Sequence, residues 1–128
     1  MTEETLQAFE LPLANLIVEV YDGGFDDSGN YSGRGEMKMK NGVQYEGFFA
    51  SGLFHGEGKI TWPNSVEYTG TFMEGSITGK GTFKWPEGSL YSGDVLNGKR
   101  DGFGLFKCSG GQLYEGEWKN NEMEGKGI

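Results

Sequence analysis

The residues with the chemistry of a metal site are few and far apart in the chain. One histidine, His55, and one cysteine, Cys108, are too few for a zinc site built from protein ligands. The acidic turn from Asp26 to Asn30 offers oxygen ligands, but it lacks the glutamate that completes an EF-hand calcium loop. A solvated turn is the favoured interpretation there. We therefore expect no metal and no other cofactor.

The same residues do not predict a catalytic centre. A single histidine gives no reliable serine, histidine and acid arrangement, and His55 is expected in a turn, with a structural or exposed role. Cys108 replaces a tryptophan of the repeat described below, which favours a small buried apolar side chain over a redox sensor. The Gly-x-Gly pairs lack a following helix and a phosphate-binding lysine. We expect neither nucleotide binding nor enzymatic activity.

A repeat organises nearly the whole chain. Tyr45, Tyr68, Tyr91 and Tyr114 are each 23 residues apart, and they open the phrases Y-E-G-F-F, Y-T-G-T-F, Y-S-G-D-V and Y-E-G-E-W. Tyr21 opens an irregular unit 24 residues before Tyr45. A fixed period of this length is typical of stacked-repeat proteins, in which each unit buries its apolar face against its neighbours. The repeat therefore indicates an elongated scaffold with a continuous binding surface.

The spacing within one unit predicts strands. Counted from each tyrosine as zero, glycines recur at +2, +7, +11 and +13, and apolar residues recur at +4, +15 and +17. Residues two apart share one face of a strand, whereas glycine at alternate positions disfavours a helix. We predict two strands per unit, with turns over +5 to +10 and near +18 to +21. The expected fold is all-β: an elongated, single-layer antiparallel sheet of stacked β-hairpins.

One face of this predicted sheet alternates aromatic rings with glycines. A ring that lies over the glycine of a neighbouring strand covers exposed backbone, and its burial outweighs the cost of about 0.5–1 kcal/mol for glycine in a strand. These rings are expected to pack between repeats, and they are also candidates for contact with a partner peptide or helix. The candidate partner-binding rings are Tyr45, Phe49, Trp62, Tyr68, Phe72, Trp85, Tyr91, Tyr114 and Trp118.

The opposite face is expected to be mostly polar and solvated. Leu96, Phe103 and Leu105 are exceptions, clustered on that face of the unit that begins at Tyr91. An exposed apolar patch of this kind can mark the contact with a partner. These three residues are therefore further candidates for partner binding.

The ends of the chain depart from the repeat. We expect a tail over residues 1–15, with a short helix around Thr5 to Glu10, and an array over residues 16–128, whose units start at 21, 45, 68, 91 and, as a partial unit, 114. Leu16 to Val20 are expected to lead into the first strand. The last predicted strand stops at Ile128 and would leave an unpaired edge. Further repeats or edge-to-edge self-association are expected there.

Composition narrows the choice of partners. The net charge is −8, without a basic stripe, so nucleic acid is not an expected partner. The same acidity disfavours anionic membrane surfaces, and the apolar stretch around Leu16 to Val18 is too short to cross a bilayer. A lone cysteine suits a reducing compartment. A cytoplasmic protein that binds other proteins is therefore expected.

Several phrases resemble the MORN repeat. They are Y-E-G-E-W-K-N-N from Tyr114, H-G-E-G from His55, W-P-E-G-S from Trp85 and N-G-K-R-D-G-F-G from Asn97. The resemblance covers about residues 21–128 and implies a single-layer antiparallel sheet with one hairpin per repeat, used in contacts with other proteins.

A narrower resemblance is to the radial spoke head proteins. It rests on L-I-V-E-V-Y-D-G from Leu16, G-L-F-H-G-E-G from Gly52 and N-G-K-R-D-G-F-G-L-F-K-C-S from Asn97. It implies a non-catalytic scaffold in the axoneme of a cilium or flagellum, with axonemal protein partners. Two alternatives remain open, namely a peripheral membrane adaptor that associates with phosphoinositides, and the regulatory repeat region of a larger enzyme.

Overall fold

The structure is a computed structural model, and it describes residues 18–124. These residues form ten strands and no helix. The strands are β1 (Val18–Phe25), β2 (Tyr31–Met39), β3 (Gln44–Ala50), β4 (Leu53–Thr61), β5 (Glu67–Met73), β6 (Ser76–Lys84), β7 (Leu90–Leu96), β8 (Lys99–Lys107), β9 (Leu113–Lys119) and β10 (Glu122–Glu124).

The strands form one open sheet in chain order, from β1 to β10. Each strand is antiparallel to the next, so every connection is a hairpin. The prediction of an all-β, single-layer antiparallel sheet is confirmed. The alternation of ring and glycine dictates this arrangement, because each strand carries one apolar face and needs neighbours on both edges to bury it.

The turn within each of the four units from Tyr45 onward contains two residues with positive φ. Ser51 and Gly52 have φ of 51° and 83°, and Asn97 and Gly98 have φ of 50° and 81°. Two-residue turns with this backbone match the right-handed twist of paired strands. Each turn also contacts the preceding unit, since the Gly98 amide donates to the Ile77 carbonyl at 2.8 Å. The hairpins are thereby held in register along the array.

The predicted length of that turn is wrong, and the difference matters for the core. In the four units from Tyr45 onward the second strand begins at +8 rather than +11, so position +9 lies within the sheet and faces the rings. The register between β3 and β4 shifts between Gly47 and Phe49, and a glycine with φ of 80°, Gly56, lies within the irregular stretch. A β-bulge changes which side chains face the core, and glycine allows it to form at little cost.

The first unit absorbs its extra residue in the turn between β1 and β2. The Asp26 amide donates to the Asn30 carbonyl at 2.8 Å, and the Asp26 carboxylate accepts the amides of Ser28 and Asn30 at 2.9 Å each. This acidic turn therefore uses its first carboxylate to hold its own backbone. Tyr31 consequently takes the place that +9 holds in the later units.

Three expectations concern residues outside the described range. These are the short helix around Thr5 to Glu10, the part of the first strand before Val18, and the edge formed by the last residues up to Ile128.

Candidate interaction surfaces

The core face is built on a tyrosine that lies over a glycine of the next strand. A methyl group added to Gly81 would meet the ring and hydroxyl of Tyr68, and one added to Gly104 would meet those of Tyr91. The predicted pairing of ring and glycine is therefore present. Its cause is the cross-strand register, which places Gly81 opposite Gly70, two residues beyond Tyr68 on the neighbouring strand.

Each tyrosine hydroxyl closes the same hydrogen bond in its own unit. It donates to the carbonyl three residues later, at 2.7 Å from Tyr45 to Phe48, 3.0 Å from Tyr68 to Thr71 and 2.6 Å from Tyr91 to Asp94. Burial raises the pKa of Tyr91 to about 12 and raises the pKa values of Tyr45 and Tyr68 as well. At neutral pH these hydroxyls are therefore uncharged and donate hydrogen bonds to the backbone.

Position +9 packs on the tyrosine of its own unit. Phe54 stacks on Tyr45 with ring centroids 3.9 Å apart, and Tyr31 stacks on Tyr21 at the same distance. Ile77 takes this place in the unit of Tyr68 and is 2% exposed. The predicted turn over +5 to +10 is therefore wrong at Phe54 and Ile77, although their apolar character at equal spacing was a usable signal.

Most of the candidate rings lie in the core and expose almost no surface. Only Trp85 and Tyr114 are partly exposed among them, whereas the rest are between 0% and 4% exposed: Tyr45, Phe49, Trp62, Tyr68, Phe72, Tyr91 and Trp118. The buried rings hold the repeats together. The partly exposed end of this face lies around Trp85 and Phe106.

A ladder of rings leads to that end. Trp62 stacks on Phe83 at 6.4 Å, Phe83 on Trp85 at 5.9 Å, and Trp85 lies 5.8 Å from Phe106. Cys108 follows at the tryptophan position, and it is partly exposed, which corrects the expectation of a buried side chain. Its side chain follows Phe106 on the same face, and Phe106 is itself only partly buried.

The opposite face presents apolar side chains near its C-terminal end. Phe103 is 55% exposed, Leu96 is 47% exposed and Leu105 is partly exposed, so all three candidates are accessible. Leu113, which the sequence pattern does not predict as part of this set, is 58% exposed and lies diagonally across from Leu105 on β9. We call Leu96, Phe103, Leu105 and Leu113 the apolar patch.

Asp94 fixes the backbone beside the apolar patch. Its carboxylate accepts a hydrogen bond from the Lys80 ammonium at 2.7 Å and another from the Phe103 amide at 2.9 Å. The hydrogen bond from Lys80 holds the pKa of Asp94 below its usual range. Asp94 therefore stays charged at neutral pH and keeps Phe103 at a defined position.

The same face is acidic at its other end. Asp22, Glu36 and Glu46 stand side by side on β1, β2 and β3, and they line a hollow of about 450 Å³ together with Lys38 and Lys59. Within residues 18–124, no three histidine, cysteine or acidic side chains are placed to hold a metal ion. His55 lies exposed, and its Nδ1 accepts the Glu74 amide at 3.3 Å.

The architecture is that of an open repeat sheet with a hairpin in each unit. A model of the MORN repeat matches residues 45–66, 68–90, 91–112 and 114–128. The chain belongs to the MORN repeat family, whose members generally use these repeats as non-catalytic modules for interaction with proteins or membrane lipids. No curated protein matches the chain. None of the residues between 18 and 124 belongs to a helix that could span a membrane.

Proposed function

We propose that this array is a non-catalytic scaffold that binds protein partners in the axoneme of a cilium or flagellum. The family supports an interaction module. The axonemal assignment is supported by the phrases from Leu16, Gly52 and Asn97, which resemble the N-terminal array of radial spoke head protein 10 homologue B.

The observation that carries the proposal is the apolar patch. Phe103 and Leu113 are more than half exposed on a sheet face that no second layer covers within the described residues. In the first full unit the positions of Phe103 and Leu105, +12 and +14, hold the charged side chains of Glu57 and Lys59. A local change from charged to apolar side chains is typical of a surface that contacts a protein.

Charge favours a protein over a membrane as the partner. The net charge of −8 opposes binding to anionic lipid, which attracts basic segments. The acidic row of Asp22, Glu36 and Glu46 lies on the same face as the apolar patch, so a bilayer that approached this face would meet carboxylates.

The test is retention of axonemal proteins on the immobilised chain. Phe103→Ser with Leu105→Ser should leave the urea midpoint almost unchanged and should lower the retention of a patch-bound partner at least about tenfold, which corresponds to about 1.4 kcal/mol. Glu57→Ser with Lys59→Ser changes the same positions of another unit without changing the net charge, and it should retain the partner.

Three outcomes would count against this proposal. Equal retention by both double variants would remove the apolar patch from the proposal. Co-sedimentation of the wild-type chain with phosphoinositide vesicles at physiological salt would favour the peripheral membrane adaptor instead. If the full-length transcript encoded a catalytic domain, the alternative of a regulatory repeat region in a larger enzyme would be favoured.

A further inference from the structure

Arg100 occupies a position that the other units fill with apolar side chains. It stands at +9 of its unit, where Phe54 and Ile77 stand in the two preceding units, and these are only 5% and 2% exposed. Its guanidinium carbon lies 4.9 Å from the ring centroid of Trp118, 5.6 Å from that of Trp85 and 5.7 Å from that of Phe106. The cation is therefore placed within the aromatic face, among the rings at the open end of the ladder.

The hydrogen bonds of this guanidinium go to one neutral residue. Nε donates to the Asn121 side-chain oxygen at 3.2 Å, and a terminal nitrogen donates to the Asn121 carbonyl at 3.1 Å. Among residues 18–124 Arg100 forms no ion pair, and burial holds its pKa below its usual value. The guanidinium carries further N–H donors, which are geometrically suited to a carboxylate.

The nearby carboxylates of Asp101 and Asp94 do not form an ion pair with Arg100, because each is engaged elsewhere. Asp101 follows Arg100 directly, but its carboxylate lies 3.8 Å from the Lys119 ammonium and accepts the Asn120 amide at 3.3 Å. Asp94 is held by Lys80 and by the Phe103 amide. The Arg100 guanidinium is therefore partly removed from water, and no carboxylate of residues 18–124 forms an ion pair with it in return.

The local charge suits an acidic partner although the whole chain is acidic. Residues 76–108 contain five basic and three acidic side chains, a net charge of +2, whereas residues 18–75 contain four basic and nine acidic ones, a net charge of −5. An acidic segment would therefore be repelled by the first half of the array and attracted to the part that carries Arg100.

We propose that Arg100, together with the partly exposed side chains of Trp85, Phe106 and Cys108, forms a site for a partner protein segment that carries a carboxylate beside an apolar side chain. The carboxylate accepts the free guanidinium N–H groups, and the apolar neighbour covers the partly exposed rings of Trp85 and Phe106. We call this the Arg100 site. It rests on the proposed function of protein binding but not on the apolar patch, which lies on the other face of the sheet.

The small side chain of Cys108 and the guanidinium of Arg100 both distinguish this unit from its neighbours. A tryptophan at position 108, as at Trp62 and Trp85, would place a third indole next to Phe106 and close the end of the ladder. With Cys108 in that place, the rings remain partly exposed next to the guanidinium. Two departures from the repeat, at +9 and +17 of the same unit, therefore meet at one place on the surface.

The experiment is an NMR titration of the full ¹⁵N-labelled chain with two capped pentapeptides. The first has a glutamate between leucine and phenylalanine, and the second has glutamine in its place. We expect the glutamate peptide to shift the Nε–H signal of Arg100 and the indole N–H signals of Trp85 and Trp118. The glutamine peptide should bind at least about tenfold more weakly, because it lacks the charge that pairs with the guanidinium.

Variants separate this site from a purely structural role of Arg100. Arg100→Met introduces the residue that stands at +9 of the last unit, Met123, and should keep the fold while losing the preference for glutamate. Arg34→Met is the matched control, because Arg34 also lies over a ring, that of Phe48, at 5.7 Å. It should bind the glutamate peptide as the wild type does.

Cys108→Trp should cover the exposed part of Phe106 with an indole ring. It should therefore weaken binding of the peptide although Arg100 is still present.

The outcomes are distinct. Equal affinity for both peptides, or an unchanged preference in Arg100→Met, would overturn the Arg100 site. If Arg100→Met does not fold, Arg100→Lys tests the same point, since lysine keeps the charge but loses the forked donor geometry and should bind the glutamate peptide more weakly. Shifts of Arg100 by phosphatidylserine vesicles but not by the glutamate peptide would also overturn it. Phe103→Ser with Leu105→Ser should leave the titration unchanged, so that failure of the patch and failure of this site can be told apart.

Discussion

The unit that begins at Tyr68 and the unit that begins at Tyr91 have the same backbone but present different surfaces. In both, the tyrosine hydroxyl donates to the carbonyl three residues later, at 3.0 Å and 2.6 Å. In both, the ring lies over a glycine of the next strand, Gly81 in the first and Gly104 in the second. The tyrosine and the glycines therefore carry the geometry of the repeat.

The other positions of these two units differ in chemistry. Position +9 changes from Ile77 to Arg100, and position +17 changes from Trp85 to Cys108. On the opposite face, Lys80 and Thr82 give way to Phe103 and Leu105. The comparison teaches that the repeat frame tolerates changes outside the tyrosine–glycine pairs. Both proposed binding surfaces lie where the unit of Tyr91 departs from the unit of Tyr68.

The largest expected effect concerns position +9. Ile77→Ala should lower the free energy of unfolding by about 4 kcal/mol, because Ile77 is 2% exposed and its truncation leaves a cavity opposite Phe72. Arg100→Ala should cost about 1–2 kcal/mol, since Arg100 is partly exposed and loses mainly its packing on the rings. Urea unfolding of both variants measures the difference. Equal losses would mean that the two positions have the same role in stability.

The next effect concerns the pairs of ring and glycine, which the two units share. Gly81→Val and Gly104→Val should each cost about 3 kcal/mol, because the new side chain would overlap the tyrosine ring. Lys84→Val, on the exposed opposite face, should cost less than about 0.5 kcal/mol. Urea midpoints are the measurement. A midpoint for Gly81→Val that matches that of Lys84→Val would contradict the assignment of faces.

The smallest effect is the response to alkaline pH. Burial raises the pKa of Tyr91 from 10.0 to about 12, so folding favours the protonated phenol. The stability that this group contributes is fully present below pH 10 and should be lost as the pH rises toward about 12. Tyr91→Phe should cost about 1 kcal/mol at neutral pH through the lost hydrogen bond and should flatten the decline in stability above pH 10. An unchanged alkaline decline in this variant would contradict the prediction.

The sequence by itself determined the class of fold and the pairs that hold it. The 23-residue period and the alternation of tyrosine and glycine depend on local geometry, since side chains alternate along any strand. The two-residue turn at Asn97 and Gly98 is likewise a local signal. The same alternation predicts that the side chains of Leu96, Phe103 and Leu105 face away from the core, and their exposure in the structure agrees with this.

Only the tertiary structure decided where the alternation breaks. The glycine at +11 can continue a strand or adopt the positive φ of a bulge, and the choice depends on pairing with the neighbouring strand. The bulge places the side chains of Phe54 and Ile77 in the core. At the same repeat position, it places the Arg100 guanidinium beside the rings of Trp118, Trp85 and Phe106. Which rings are buried was also decided there, because burial depends on the units before and after each ring, and no single repeat contains that information.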